Sequence, residues 1–243
     1  MEIARRSREM ENTEIGCVVF DIDDTLYLER DYIRSGFDAV GVWAATEWRI
    51  VDFANLAWKA FEFGERRTIF DSLLAAQGID STPDKIARLV EVYREHRPRI
   101  ELLPDARRCL HSLYGRVPLA VITDGPRASQ AAKIEALILR KWISPIILTD
   151  DLGTGYGKPH PMSFQLVEQQ VGVDGSRCLY VADNPAKDFQ GARARGWRTA
   201  RVRRPGGLHH AVEATGVCDL EIEDLDALRS VLDEALSRGI KRC

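Results

Sequence analysis

Long apolar runs are absent: no stretch approaches the roughly 18 consecutive apolar residues that a membrane-spanning helix needs. Cysteine is sparse, with five residues (Cys17, Cys109, Cys178, Cys218 and Cys243) in 243. The number is odd, no CxxC pair occurs and no histidine stands at metal-ligand spacing, which argues against a disulfide framework and a zinc site. Reduced thiols are expected. Neither charge sign is in excess, since 34 Lys and Arg face 37 Asp and Glu for a net charge of −3, which argues against a partner such as nucleic acid. With 18 Gly and 10 Pro the chain is neither collagen-like nor compositionally disordered. Internal repeats and low-complexity segments are missing too. Met1 to Glu14 carries Arg5, Arg6 and Arg8, but the apolar run before Asp21 is only about six residues, too short for a secretion signal. A cytoplasmic protein without membrane or nucleic-acid partners is expected. Its oligomeric state is left open between monomer and homodimer.

What remains is an ordinary chain, 45% hydrophobic and 29% charged, long enough to hide roughly 70% of its unfolded surface in one large core or a core with a satellite. Apolar runs mark strands at Cys17–Phe20, Leu119–Ile122, Pro145–Leu148, Cys178–Ala182 and Thr199–Val202, with an edge strand within Cys218–Ile222. The first four are nearly continuous, as in parallel strands buried on both faces. Helical spacing over Asp105–Tyr114, Arg127–Leu139, Pro161–Val171, Pro185–Arg195 and Asp224–Ser237 alternates with them, so the fold class is α/β with a Rossmann-like parallel sheet. Between the first two strands, Tyr27 to Leu103 breaks the alternation: about 77 residues of helical spacing, rich in Trp and Phe. An inserted all-α domain, 27–103, on a core of 1–26 and 104–243 is the expected organisation.

In an open parallel sheet, ligands bind beyond the carboxyl ends of the strands. The residues there are Asp21-Ile22-Asp23-Asp24-Thr25, Thr123-Asp124-Gly125, Gly157-Lys158-Pro159 and Asp183-Asn184-Pro185-Ala186-Lys187-Asp188. Acids crowded against apolar strands repel one another and resist desolvation unless a cation joins them. An all-oxygen carboxylate set selects a hard ion such as Mg²⁺. A carboxylate beside such an ion, with a lysine and a hydroxyl facing the same point, suits phosphoryl transfer, because carboxylates form acyl phosphates and fixed cations spread the charge of the transferring group.

The run Phe20-Asp21-Ile22-Asp23-Asp24-Thr25-Leu26 resembles the DxDxT signature of the haloacid dehalogenase superfamily, and Thr123, Lys158 and the Asp183/Asp188 pair fall at its second, third and fourth motifs. The likeness runs from about Cys17 to Leu236, and the helical insert resembles a C1-type cap. It implies a Mg²⁺-dependent phosphatase of a small phosphorylated metabolite, a sugar phosphate or nucleoside monophosphate, that works through an aspartyl-phosphate. On this resemblance Asp21 is the nucleophile and a metal ligand. Asp23 is the general acid and base, and its backbone carbonyl binds the metal. Thr123, the Asp124 N–H and Lys158 hold the phosphoryl oxygens, Asp183 ligates the ion, and Asp188 supports the ion or Lys158. An acid at 23 points to a C–O–P bond, since a dehalogenation needs no proton for its leaving group. The fourth motif departs from the common Gly-Asp in having Ala182 before Asp183. A sugar phosphomutase uses the same intermediate, and a phospho-receiver module also combines Asp, Thr and Lys, although it is about half as long and lacks the insert.

Other polar residues have plainer readings. Asp24 is expected to make a turn or cap, Asp150 and Asp151 to lie in a solvated loop, and His96, His111, His160, His209 and His210 to sit on the surface or in loops. The basic stretch from Arg193 to Arg204 is expected to be a solvated face. Aromatic residues of the insert are expected in its core, with Tyr27 and Arg30 as candidates for lining the mouth of the site.

Overall fold

Four apolar residues suffice for a strand when both of its faces are covered, and β1 is Cys17–Phe20, all buried. The computed structural model describes residues 15–240; Arg5, Arg6, Arg8 and Cys243, and the outer ends of the two expected core segments, lie outside them. β2 (Leu119–Thr123), β3 (Ile146–Leu148), β4 (Cys178–Ala182), β5 (Arg198–Val202) and β6 (Leu220–Ile222) complete one sheet. Every pairing is parallel and the order is β3-β2-β1-β4-β5-β6. The chain moves outward from β1 through β2 to β3, then returns to β4 on the other side of β1. The crevice at the carboxyl ends of β1 and β4 is therefore the switch point of an α/β sheet.

Alternate residues of each strand feed two cores. Val18, Phe20, Leu119, Val121, Leu179 and Val181 join one face, and Cys17, Val19, Ala120, Ile122, Cys178 and Tyr180 the other. The insert supplies α1 (Glu29–Glu47), α2 (Phe53–Glu62), α3 (Ile69–Ala76) and α4 (Pro83–Glu95); the core carries α5 (Pro104–Leu113), α6 (Arg127–Ala136), α7 (Met162–Val171), α8 (Asp188–Ala194) and α9 (Leu225–Ile240). Leu110 of α5, Ile134 of α6 and Leu228 of α9 cover the first face, while Phe164 of α7 and Phe189 of α8 cover the second. Among the described residues no helix is long and apolar enough to cross a membrane. Cys17, Cys109 and Cys178 are buried free thiols and Cys218 is half-buried.

The four insert helices enclose a core of their own, with Phe37, Val40, Phe53, Phe61, Leu74 and Leu89 among its members. Phe63 is exposed instead. Leu103 N–H donates to the Leu26 carbonyl at 3.0 Å, so the chain leaves for the insert and returns at the same place. Arg30 lies over Trp58 and pairs with Glu62 on the insert surface. His96 lies in the loop after α4, one of its two expected settings, but is buried there against Tyr32 and Tyr93, its Nδ1 2.6 Å from the Tyr93 carbonyl.

The basic stretch is not a solvated face. Arg201 is 0% exposed. Its guanidinium donates to the Asp183 carbonyl at 3.2 Å and to the His209 and Val212 carbonyls at 2.9 and 2.8 Å, and it pairs with Glu221 at 3.2 Å. Arg204 is also buried, on the Thr25 carbonyl and the Asp105 carboxylate. β5 has neighbours on both edges, and a rigid fork of donors tolerates burial when carbonyls meet it.

Candidate active site

The chain leaves β1 still bonded to the sheet, Asp21 N–H donating to the Val181 carbonyl at 2.9 Å. This extension holds the Asp21 carboxylate at the crevice, beside the end of β4 from which Asp183 projects. Asp188 opens α8, and Lys158 reaches in from the loop before α7. All four are buried. Lys158 Nζ lies 2.9 Å from Asp21 Oδ1 and 2.7 Å from Asp188 Oδ1, and donates to Tyr180 Oη at 2.9 Å. Asp188 Oδ2 accepts the Asn184 N–H at 2.9 Å, which closes the loop between Asp183 and α8.

Close packing sets this geometry. A Cβ on Gly191 of α8 would lie 2.3 Å from the Pro159 carbonyl oxygen and 2.9 Å from the Phe164 ring. Gly191→Ala is expected to destabilise the protein by about 1–3 kcal/mol, since a backbone carbonyl cannot turn aside as a side chain can. Thermal denaturation checks this; an unchanged Tm would mean that α8 and the Lys158 loop are not packed in this way.

Burial dominates the electrostatics of the acids. It pushes Asp21 up to about 6 against the pull of Lys158, with Asp188 adding to the rise. Asp183 is pushed up to about 9, by burial first and then by Asp21 and Asp188. Each of Asp21, Asp183 and Asp188 offers a carboxylate oxygen, and these atoms lie within 4.8 Å of one another. Lys158 meets Asp21 and Asp188 directly. Three buried hard oxygens this close together suit a small divalent ion, and binding one would keep Asp183 ionised. The residues present fit Mg²⁺.

Beside this cluster, Asp124 Oδ1 accepts from the Thr149 hydroxyl at 2.8 Å and from the Lys158 N–H at 3.1 Å, and Oδ2 pairs with Lys187 at 3.1 Å. Burial opposes its ionisation, but Lys158 and Lys187 hold the carboxyl below the usual range. The two remaining motif residues have hydrogen-bond partners outside this cluster. Thr123 Oγ1 donates to Gln130 Oε1 at 3.0 Å. The Asp23 carboxylate pairs with Lys133 Nζ, at 2.7 and 2.8 Å, with further bonds from Tyr27 Oη and from Gln130 Nε2 at 3.3 Å. Against burial, which would raise it, Lys133, Tyr27 and Gln130 hold Asp23 below the ordinary carboxylate range. The structure thus gathers Asp21, Asp183, Asp188 and Lys158 at one point, with Asp124 adjoining. Asp23 and Thr123 are linked through Gln130.

Lys133, Gln130 and Tyr180 adjoin the site and were missed by sequence reasoning, while Lys187 was placed at the strand end without a role. Gln130 and Lys133 stand three apart on α6, directly after Thr123-Asp124-Gly125, a spacing that puts both on one helical face. That spacing was the available signal. Tyr27 is wholly buried under Asp23 and does not line the mouth. Asp24 makes the expected cap: its carboxylate accepts the Glu29 N–H at 2.8 Å and the Leu208 N–H at 2.7 Å. Asp150 and Asp151 are exposed and receive Arg127 at the start of α6. A cavity of about 270 Å³ opens over Asp21, Asp23 and Asp183 and is also lined by Tyr32, Tyr93 and His209. His209 keeps its loop position there, 2.9 Å from Asn184 Nδ2, and burial lowers its imidazole pKa. Glu29 of α1 also borders the cavity, and burial together with Asp23 pushes it up to about 8.

Comparison with known proteins agrees on one family. The family model described as haloacid dehalogenase-like hydrolase matches residues 15–196. Glyceraldehyde 3-phosphate phosphatase of Methanopyrus kandleri is 27% identical over 230 residues, which span 90% of this chain and 96% of that protein. Phosphoserine phosphatase of Thermus thermophilus is 32% identical over 152 residues, 62% of this chain and 58% of its own. Among solved structures, the HAD-hydrolase YfnB of Bacillus subtilis, bound to magnesium, superposes with a TM-score of 0.67 at 20% identity, covering 91% of this chain and 100% of that one.

Proposed function

The chain belongs to the haloacid dehalogenase-like hydrolases, and we propose that it is a Mg²⁺-dependent phosphatase of small phosphomonoesters that turns over through an aspartyl-phosphate on Asp21. The reading rests chiefly on one observation, the convergence of the Asp21, Asp183 and Asp188 carboxylates with Lys158 at the switch point of the sheet. Relatives named as phosphatases support it, and Asp23, which could protonate a leaving alcohol, separates it from dehalogenation.

Asp21, Asp183 and Asp188 would hold the ion with the Asp23 backbone carbonyl, and the ion when bound supplies positive charge that offsets the phosphoryl oxygens. Asp21 attacks phosphorus as the bond to the alcohol oxygen breaks, and that oxygen takes a proton from Asp23. Water then attacks the aspartyl-phosphate and gives its proton to Asp23, and the bond electrons return to Asp21. Lys158, Thr123 and the Asp124 N–H hold the phosphoryl oxygens through both steps. Residues 27–103 serve as a cap over the core of 1–26 and 104–243, and a cavity of about 270 Å³ suits a small phosphorylated metabolite.

The test is phosphate release from an aryl phosphate before and after chelation. Removing divalent ions with EDTA is expected to lower the rate by about 100-fold, and excess Mg²⁺ to restore it. Full activity after exhaustive chelation would contradict the reading.

A further inference from the structure

Proton transfer through Asp23 uses one carboxylate oxygen at a time, and the two oxygens are not equivalent. Oδ1 accepts the Tyr27 hydroxyl and Lys133 Nζ, the latter at 2.7 Å. Oδ2 accepts Lys133 Nζ at 2.8 Å and otherwise only Gln130 Nε2 at 3.3 Å. That amide has a better partner in the Asp124 carbonyl at 2.9 Å. An ionised carboxylate offers about four acceptor positions, so Oδ1 is saturated and Oδ2 keeps the one loosely held position.

We propose that Lys133 is a positioning residue which grips both oxygens of Asp23 and, with Tyr27 filling Oδ1, fixes the carboxylate so that Oδ2 is the oxygen that gives and takes the proton. The inference rests on the phosphatase reading above and adds to it a residue outside the four motifs. Lys133 is itself held on two sides. Its side chain is 4% exposed, and Nζ lies 4.3 Å from the centroid of the Tyr32 ring on α1. Two N–H groups serve Asp23, and the aromatic face attracts the remaining charge. An ammonium gripped between a carboxylate and a ring has no freedom to swing, and the bidentate contact transmits that rigidity to Asp23. In the first half-reaction the alcohol oxygen, leaving phosphorus with the bond electrons, takes its proton from Oδ2. In the second, the attacking water returns a proton to Oδ2 while Asp21 recovers its carboxylate.

The readout is leaving-group dependence, because a basic alkoxide needs that proton and a dinitrophenolate does not. In Lys133→Met, kcat/KM for β-glycerophosphate is expected to fall about 100-fold, and for 2,4-dinitrophenyl phosphate about tenfold less than that. Lys133→Arg, which keeps charge and reach, should recover most of the loss. A general structural defect would slow both esters alike, so equal losses in folded Lys133→Met, beside unequal losses in Asp23→Asn, overturn the assignment of Lys133 alone. Equal losses in Asp23→Asn overturn the acid-base reading and the Lys133 assignment with it. Should Lys133→Met not fold, Tyr27→Phe removes one donor from the same oxygen: a smaller loss with the same bias toward the alkyl ester supports the proposal, and no bias overturns it.

Discussion

Phosphate release by Asp21→Asn is expected to fall by roughly 10⁴-fold or more, with the protein still folded and still able to bind substrate. The amide matches the carboxylate in shape but has no electron pair basic enough to attack phosphorus. Lys158 would lose one of its two carboxylate partners and keep Asp188 at 2.7 Å and Tyr180 at 2.9 Å, so the fold should survive. The substitution also relieves a desolvation cost, since burial already opposes the charge on Asp21. The measurement is steady-state phosphate release with a thermal melt of the same sample. Activity within tenfold of the parent, in a preparation shown to be free of other phosphatases, would remove Asp21 from its role and end the covalent mechanism.

Arg201→Leu should produce the largest loss of stability, about 3–5 kcal/mol, because three charge-assisted hydrogen bonds to the Asp183, His209 and Val212 carbonyls are lost with it and the buried Asp183 carbonyl is left without that donor. For a domain of this size the corresponding fall in Tm is about 6–20 °C. Leucine fills part of the volume but donates nothing. The ion pair with Glu221 contributes little to this figure, since that carboxylate side chain is 41% exposed. The damage should extend to the site, because Arg201 grips the carbonyl of Asp183 and the loop that carries His209. A Tm within about 2 °C of the parent would show that these carbonyls find water instead.

Both experiments also mark how far the sequence could be read. Asp21 and Asp183 were legible because each directly follows a buried apolar run, and parallel topology brings strand ends together whatever the side chains are. Lys158 stands ten residues past β3 and was picked out by its place between the third strand and the next helix. The insert was legible from an interval too long for a crossover and spaced for helices. Asp24 was legible because a turn acid beside a helix start has a local partner, the Glu29 N–H five residues on. Arg201 was not, since a run of arginines looks like a wet surface unless it is known that β5 is flanked on both sides and that the loop after it folds back to bring carbonyls to it.

By itself the sequence determined the α/β class, the helical insert and which acids and lysine meet at the crevice, because periodicity and strand-end position are local properties of the chain. Only the tertiary structure decided where each carboxylate turns. Asp23 faces Lys133, 110 residues away, while Asp21 faces Lys158, 137 residues away. Such pairings are set by the shortest relief available to a buried charge, and that depends on which helix the fold lays over it.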